Sequence, residues 1–306
     1  MTALHAGTRR RRVAPPLLAA LVALVALGPL AACRGGDAAA DAPQRVVSVS
    51  KQINEFMYAI GADDAIVGRD LTSVYPPAIG AKPSVGYHRA LSAEGIISLR
   101  PTLFLTDGNV GPDAVLAQLR EVGVPILTLA PGAGVDSAQQ LLARLGREFH
   151  RERAADSVLA EWRRGMDAVR ADSARLAAGP RPRVLVVHFG QLVNDYLALN
   201  RGGPADRVIA WAGGTNAADS TGGMARLTPE LIARLAPDVI VATDVGFDRV
   251  GSAARFAELP GIALTPAARA GRIYRVDESE IMYFGPRTPA AVHRLAALLH
   301  PAATGT

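Results

Sequence analysis

"LSAEGIISLRPTLFLTD" (Leu91–Asp107) and "LTPELIARLAPDVIVATD" (Leu227–Asp244) are two copies of one pattern. Leu91, Glu94, Ile96, Leu99 and Pro101 recur as Leu227, Glu230, Ile232, Leu235 and Pro237, every pair 136 residues apart. Gly86 recurs as Gly222 at the same offset. So many ungapped identities in so short a window mark an internal repeat, and the repeat predicts two related lobes. Each copy opens as a helix should. Ser92 and Thr228 suit the N-cap, and Pro229 suits the first helical position. Glu94 and Glu230 then fall in the first turn, at the positive end of the helix dipole, which accounts for both without any partner.

Outward from the first copy, strands and helices alternate. "RVVSVS" (Arg45–Ser50) is a β-branched run, followed by a helix ending near Gly61 and a strand at Ala65–Val67. "PTLFL" and "VPILTLA" are two more strands, separated by "DAVLAQLREVG", an amphipathic helix closed by Gly123. Such alternation predicts an α/β fold with parallel sheets. Between Val135 and about Ala178 there is no proline, and Ala, Leu, Arg and Glu dominate. That segment is one long helix or two in succession, up to roughly 60 Å if continuous. "GPRPR" ends it, and "VLVVHFG" starts the second α/β run. The expected fold is therefore two Rossmann-like lobes with parallel sheets, joined by a long linking helix. Its boundaries are 44–134 for the first lobe, 135–179 for the linker and 180–306 for the second lobe.

Composition limits the function. Apolar residues make up 49% of the 306-residue chain, enough for a sizeable core. Of the net charge of +5, four units come from Arg9–Arg12 in residues 1–32, which contain no acid. The rest is almost neutral, so the charge gives no case for nucleic acid. Those arginines precede an apolar stretch, Val13–Leu30, and then Leu30-Ala31-Ala32-Cys33. Residues 1–32 read as a secretory signal with small residues before the cut. "LAAC" resembles the lipobox of bacterial lipoproteins, which implies that Cys33 is lipidated and becomes the mature N-terminus. Cys33 is the single cysteine, so the mature chain holds no disulfide. Residues 33–43 ("CRGGDAAADAP") are small, polar and turn-rich, a flexible tether.

Lipobox, tether, α/β lobe, linking helix and second α/β lobe together resemble the helical-backbone class of substrate-binding lipoproteins, class III of the periplasmic binding proteins. These serve ABC importers of haem, cobalamin and ferric siderophores. The resemblance covers essentially the whole mature chain and implies a location in the cell envelope, on its periplasmic or extracytoplasmic face. It also implies that Glu94 and Glu230, one at the tip of each lobe, dock onto the permease and ATPase complex. "VGYHRALSAEG", "ALNRGGPADRVIAWAGGTNAA" and "YFGPRTPAAV" resemble the haem-binding branch. There a tyrosine before the first-lobe glutamate helix ligates the iron, and an arginine two residues on lies beside it. Tyr87 and Arg89 fit that spacing.

The chemistry suits the assignment. A phenolate is a hard anionic ligand for ferric haem. Free tyrosine ionises only near pKa about 10, so the iron's charge and a neighbouring guanidinium must assist. Arg89 could instead pair with a haem propionate, as could Arg287 in "GPRT". His188 ends the strand "VLVVH", where ligands of parallel sheets gather, and some haem binders of this class use a second-lobe histidine opposite the tyrosine. His88 adjoins Tyr87 but points elsewhere if the loop is extended. His150, His293 and His300 fall on helical surface, and Met224 and Met282 suit an apolar cleft wall. The expected function is a haem carrier, not an enzyme, with haem as its transported ligand. A corrinoid or ferric-siderophore carrier is the alternative within the fold. A secreted haem-dependent enzyme would need a distal acid/base, for which His188 is the one candidate.

Overall fold

The computed structural model describes residues 44–130, 132, 134–189 and 196–301. The segments expected to be a signal peptide (1–32) and a tether (33–43), with Cys33, lie outside the described residues. The first lobe runs β1 (Val46–Val49), α1 (Lys51–Ala59), β2 (Ile66–Arg69), α2 (Ala93–Ser98), β3 (Leu103–Thr106), α3 (Asp113–Glu121) and β4 (Ile126–Thr128). Its four strands are ordered β2-β1-β3-β4 and are all parallel, as the alternation predicts. Gly61 and Gly123 take positive φ, 66° and 76°, where they close α1 and α3.

The linker is two helices, α4 (Val135–Glu148) and α5 (Glu152–Leu176). His150, at φ 52°, breaks them apart, and the Arg151 guanidinium turns back to the Gly61 carbonyl. A continuous helix over 135–179 is therefore not what forms. α5 alone is 25 residues, about 37 Å long. Its buried face is Ala155, Trp162, Met166 and Val169, at helical spacing.

The second lobe comprises β5 (Arg183–Phe189), β6 (Tyr196–Leu199), α6 (Pro204–Trp211), β7 (Thr215–Asn216), β8 (Met224–Arg226), α7 (Pro229–Leu235) and β9 (Val239–Thr243). It continues through α8 (Asp244–Val250), α9 (Ala253–Ala257), α10 (Pro266–Arg269), β10 (Ile273–Val276), α11 (Glu278–Met282) and α12 (Thr288–Leu299). Here the expectation of a parallel sheet needs correction. β10, β9, β5 and β7 are parallel, but β6 pairs β5 antiparallel and β8 pairs β6 antiparallel. Only residues 190–195 separate β5 from β6. That is too short for the crossover of about a dozen or more residues that a parallel neighbour needs.

The repeat survives in three dimensions. Leu91 and Leu227 are buried, as are Ile96 and Ile232. Gly86 and Gly222 both take positive φ, and so do Arg100 and Ala236, which again lie 136 apart. Arg45 Nη2 donates to the Leu99 carbonyl at 2.7 Å, and Arg183 Nη2 to the Leu235 carbonyl at 2.9 Å. In each lobe, an arginine beside or at the start of the first strand thus caps the end of the repeat helix.

Strand alternation sorts the core into three layers. Val47, Val49 and Phe104 face an outer layer in the first lobe, and Leu185, Val187, Ile240 and Ala242 face one in the second. Between them Val46, Leu103 and Leu105 from one sheet share a single cluster with Val184, Val186, Val239 and Val241 from the other. Ile53, Trp162, Met166, Phe284 and Leu295 fill that shared layer.

Candidate functional site

The carboxyl ends of the strands collect the polar chemistry. Lys51 follows β1, Asp70 follows β2 and Asp107 follows β3, while His188 stands near the end of β5 and Asp244, Asp277 and Glu278 follow β9 and β10. This is where α/β sheets place ligands.

Tyr87, His88 and Arg89 lie in the loop between β2 and α2, and that loop is pinned on both sides. Toward β2, Leu71 N donates to the Gly86 carbonyl at 2.7 Å and Val85 N to the Arg69 carbonyl at 2.8 Å. Toward the loop after β3, Gly111 N donates to the His88 carbonyl and Leu91 N to the Gly111 carbonyl, both at 2.9 Å. Gly86, at φ 97°, supplies a turn that a side chain would strain. Tyr87 and His88 are half-buried and Arg89 is exposed. His88 does not point away from Tyr87 as an extended loop would have it: the two rings lie 4.4 Å apart, while His88 Nδ1 faces the buried Asp70 carboxylate at 3.8 Å and Nε2 lies 3.4 Å from Asn109 Nδ2.

His188 belongs to a second group. Its Nδ1 lies 3.1 Å from Thr243 Oγ1. Burial lowers its pKa, and Lys51 lowers it further, against the opposing pull of Glu278 and Asp244. Lys51 Nζ reaches across the lobes to Glu278 Oε1 at 2.9 Å. Glu278 N in turn donates to Asp244 Oδ1 at 3.1 Å, and burial still raises the Asp244 pKa.

The half-buried Tyr283 of the second lobe links the two groups. Burial drives its pKa upward, helped by Glu278 from its own lobe and by Asp107 and Asp70 from the first, while Arg89 opposes. Tyr283 opens the segment "YFGPRTPAAV", yet nothing in that segment assigns this side chain a role. No local pattern distinguishes a cleft tyrosine from a loop one.

Arg287 is placed differently from its expected part as a propionate contact. Its Nε and Nη2 hold the Glu55 carboxylate at 3.0 and 2.6 Å, and its Nη1 donates to Asp277 at 3.0 Å and Glu280 at 2.7 Å. The guanidinium also lies 3.6 Å over the Tyr75 ring. With its donors so committed, Arg287 is a latch between α1 and the second lobe, and this corrects the ligand assignment. Glu55 is buried, and burial raises its pKa despite the arginine. His300 also departs from expectation: its Nε2 is buried and has no hydrogen-bond partner. His293 pairs with Asp172 at 3.3 Å.

Glu94 and Glu230 are exposed at matching places in the first turns of α2 and α7. Ser92 Oγ accepts from Gly95 N, and Thr228 Oγ1 from Leu231 N, so both N-caps form as read. A backbone hydrogen bond and one from Thr228 lower the Glu230 pKa.

Residues 46–280 match the protein family described as "Periplasmic binding protein". The apo periplasmic haem-binding protein RhuT from Roseiflexus sp. RS-1 superposes with a TM-score of 0.76 at 33% identity, over 86% of this chain and 100% of that one. A periplasmic haem-binding protein from Pseudomonas aeruginosa gives 0.74 at 32% identity, over 85% and 94%. Among curated proteins, a cobalamin-binding protein of Halobacterium salinarum is 28% identical over 268 residues, 84% of this chain and 70% of that protein.

Proposed function

The chain belongs to the periplasmic binding protein family, whose members carry substrates and are not enzymes, and on that premise we propose that it captures ferric haem for an ABC importer. The observation that carries this reading is Tyr87 on a loop pinned from two sides, with Arg89 exposed beside it. In this reading the Tyr87 phenolate ligates the iron, Arg89 stabilises the anion or meets a propionate, and His188 approaches from the second lobe. Exposed apolar side chains at the same end of the sheets, Leu71, Val74 and Val245, suit a flat apolar macrocycle. The haem-binding relatives at about one-third identity support the assignment. Glu94 and Glu230 dock the permease and ATPase complex, and Cys33 anchors the chain to a membrane through lipid.

A corrinoid is the second reading, favoured by the cobalamin-binding relative. Parallel titration of the purified chain with haemin and with cyanocobalamin separates the two. A sharp ferric Soret band and a tyrosinate-to-iron charge-transfer band support haem. An unchanged free-haemin spectrum together with saturable cyanocobalamin binding refutes it.

A further inference from the structure

Asp70 is a carboxylate with 1% of its surface exposed, at the end of β2. Burying an anion there is costly unless it is well bonded. Ser73 Oγ donates to Oδ1, while Thr72 N at 2.9 Å and Thr72 Oγ1 donate to Oδ2. Asn54 Nδ2 holds Ser73 Oγ from behind at 2.8 Å. The same Oδ2 that accepts from Thr72 also faces His88 Nδ1, at 3.8 Å. Burial alone would raise the Asp70 pKa, but His88, Ser73 and Thr72 outweigh it and hold the group below the usual carboxylate range.

The far edge of the imidazole is held as well. Asn109 presents its amide nitrogen to Nε2 at 3.4 Å, and the Asn109 backbone N–H is itself fixed on Asp107 Oδ1 at 2.9 Å. The donors agree on one arrangement: Nε2 accepts from Asn109, which leaves the ring proton on Nδ1, toward Asp70. The ring so held lies 4.4 Å, centroid to centroid, from the Tyr87 ring at an interplanar angle of 54°.

We propose that Asp70 and Asn109 clamp His88, and that the clamped imidazole sets the orientation of the Tyr87 phenol. All three are positioning residues for the ligand tyrosine. The inference rests on Tyr87 as the iron ligand. Its logic is that of groups beyond a metal's own ligands, which orient the ligand and whose loss typically weakens metal affinity by about 10–100-fold.

The test is a haemin titration of wild type, Asp70→Asn, His88→Phe and Asn109→Ala, each with its charge-transfer band and melting temperature. The clamp predicts a shifted band and an affinity loss of about 10–100-fold in each variant. For the less buried His88→Phe and Asn109→Ala, melting should stay at the wild-type temperature. A wild-type band that all three variants keep, at unchanged affinity, overturns the clamp and leaves the haem reading intact. So does a band change confined to Asp70→Asn and accompanied by lower melting, which marks that carboxylate as structural. A wild type with no tyrosinate band overturns the haem reading and the clamp together.

Discussion

Replacing Arg287 by methionine removes the cation that, among the described residues, pairs with Glu55. The Glu55 and Arg287 side chains are 7% and 17% exposed. The other partners keep substitutes: Glu280 retains Arg294 at 2.6 Å, and Asp277 retains its cap on Ser279 N at 2.9 Å. The cost therefore concentrates on Glu55, left as a buried charge without a counter-ion. Breaking a buried pair from one side costs about 3–5 kcal/mol. For a folded unit of this size that is a fall in melting temperature of about 6–20 °C. Removing both partners, in Glu55→Leu with Arg287→Met, should recover most of the loss, because an apolar pair pays no desolvation. The sign with pH follows from the raised pKa of Glu55, which rises further without the arginine. Between the unfolded and folded pKa values the folded state holds the extra proton. The single variant therefore regains stability as pH falls toward the unfolded value and loses it as pH rises. Urea denaturation at pH 7 and at pH 5 measures all of this. A single variant within about 1 kcal/mol of wild type at pH 7, or a double variant no better than the single, refutes the latch.

Tyr87→Phe should abolish the charge-transfer band and weaken haemin by about two orders of magnitude, some 3 kcal/mol, with melting unchanged; a retained band in the titration refutes the ligand. Reversing both tips, Glu94→Arg with Glu230→Arg, should leave haemin affinity unaltered and stop stimulation of the cognate importer's ATPase; normal stimulation removes the docking role. Thr228→Ala should cost about 1 kcal/mol through its lost cap on Leu231 N, read by denaturant midpoint, and no loss would mean the cap is idle. Asp70, with its lowered pKa, contributes stability that is fully present above the unfolded value and lost as pH falls through the folded one. Asp70→Asn should flatten that acid limb of the stability profile, and an unchanged limb would place the titration elsewhere.

Periodicity and repetition are local properties, and they made much of the fold legible. The offset of 136 located both repeat helices, their caps and the glycine turns before them, because caps and turns are set by residues a few positions apart. The antiparallel β6 and β8 were not legible. "YLAL" and "MAR" are short, and strand direction depends on connection length and on neighbours far along the chain. The latch was hidden for a related reason. Glu55 looks like a solvent-facing position of α1, and only the return of the chain 232 residues later buries it against Arg287. Tyr87 and Arg89 could be nominated only through the resemblance to haem-binding proteins, and His188 from its place at a strand end. Asp70 and Tyr283 could not, because burial gives them their character, and burial is settled only by the folded chain.

The common inner layer has a consequence for how this molecule can be cut. Duplication by itself suggests two self-sufficient halves. Here neither half closes its own interior: Val46, Ile53 and Leu105 share one buried cluster with residues of α5 and α12, and so do Val184 and Val241. Melting should therefore be one cooperative event, with no temperature at which one lobe is folded and the other is not. A fragment ending before the linker should emerge with an apolar face and aggregate. That fragment and the remainder of the chain, produced together, carry complementary faces and have the means to reassemble into the intact carrier.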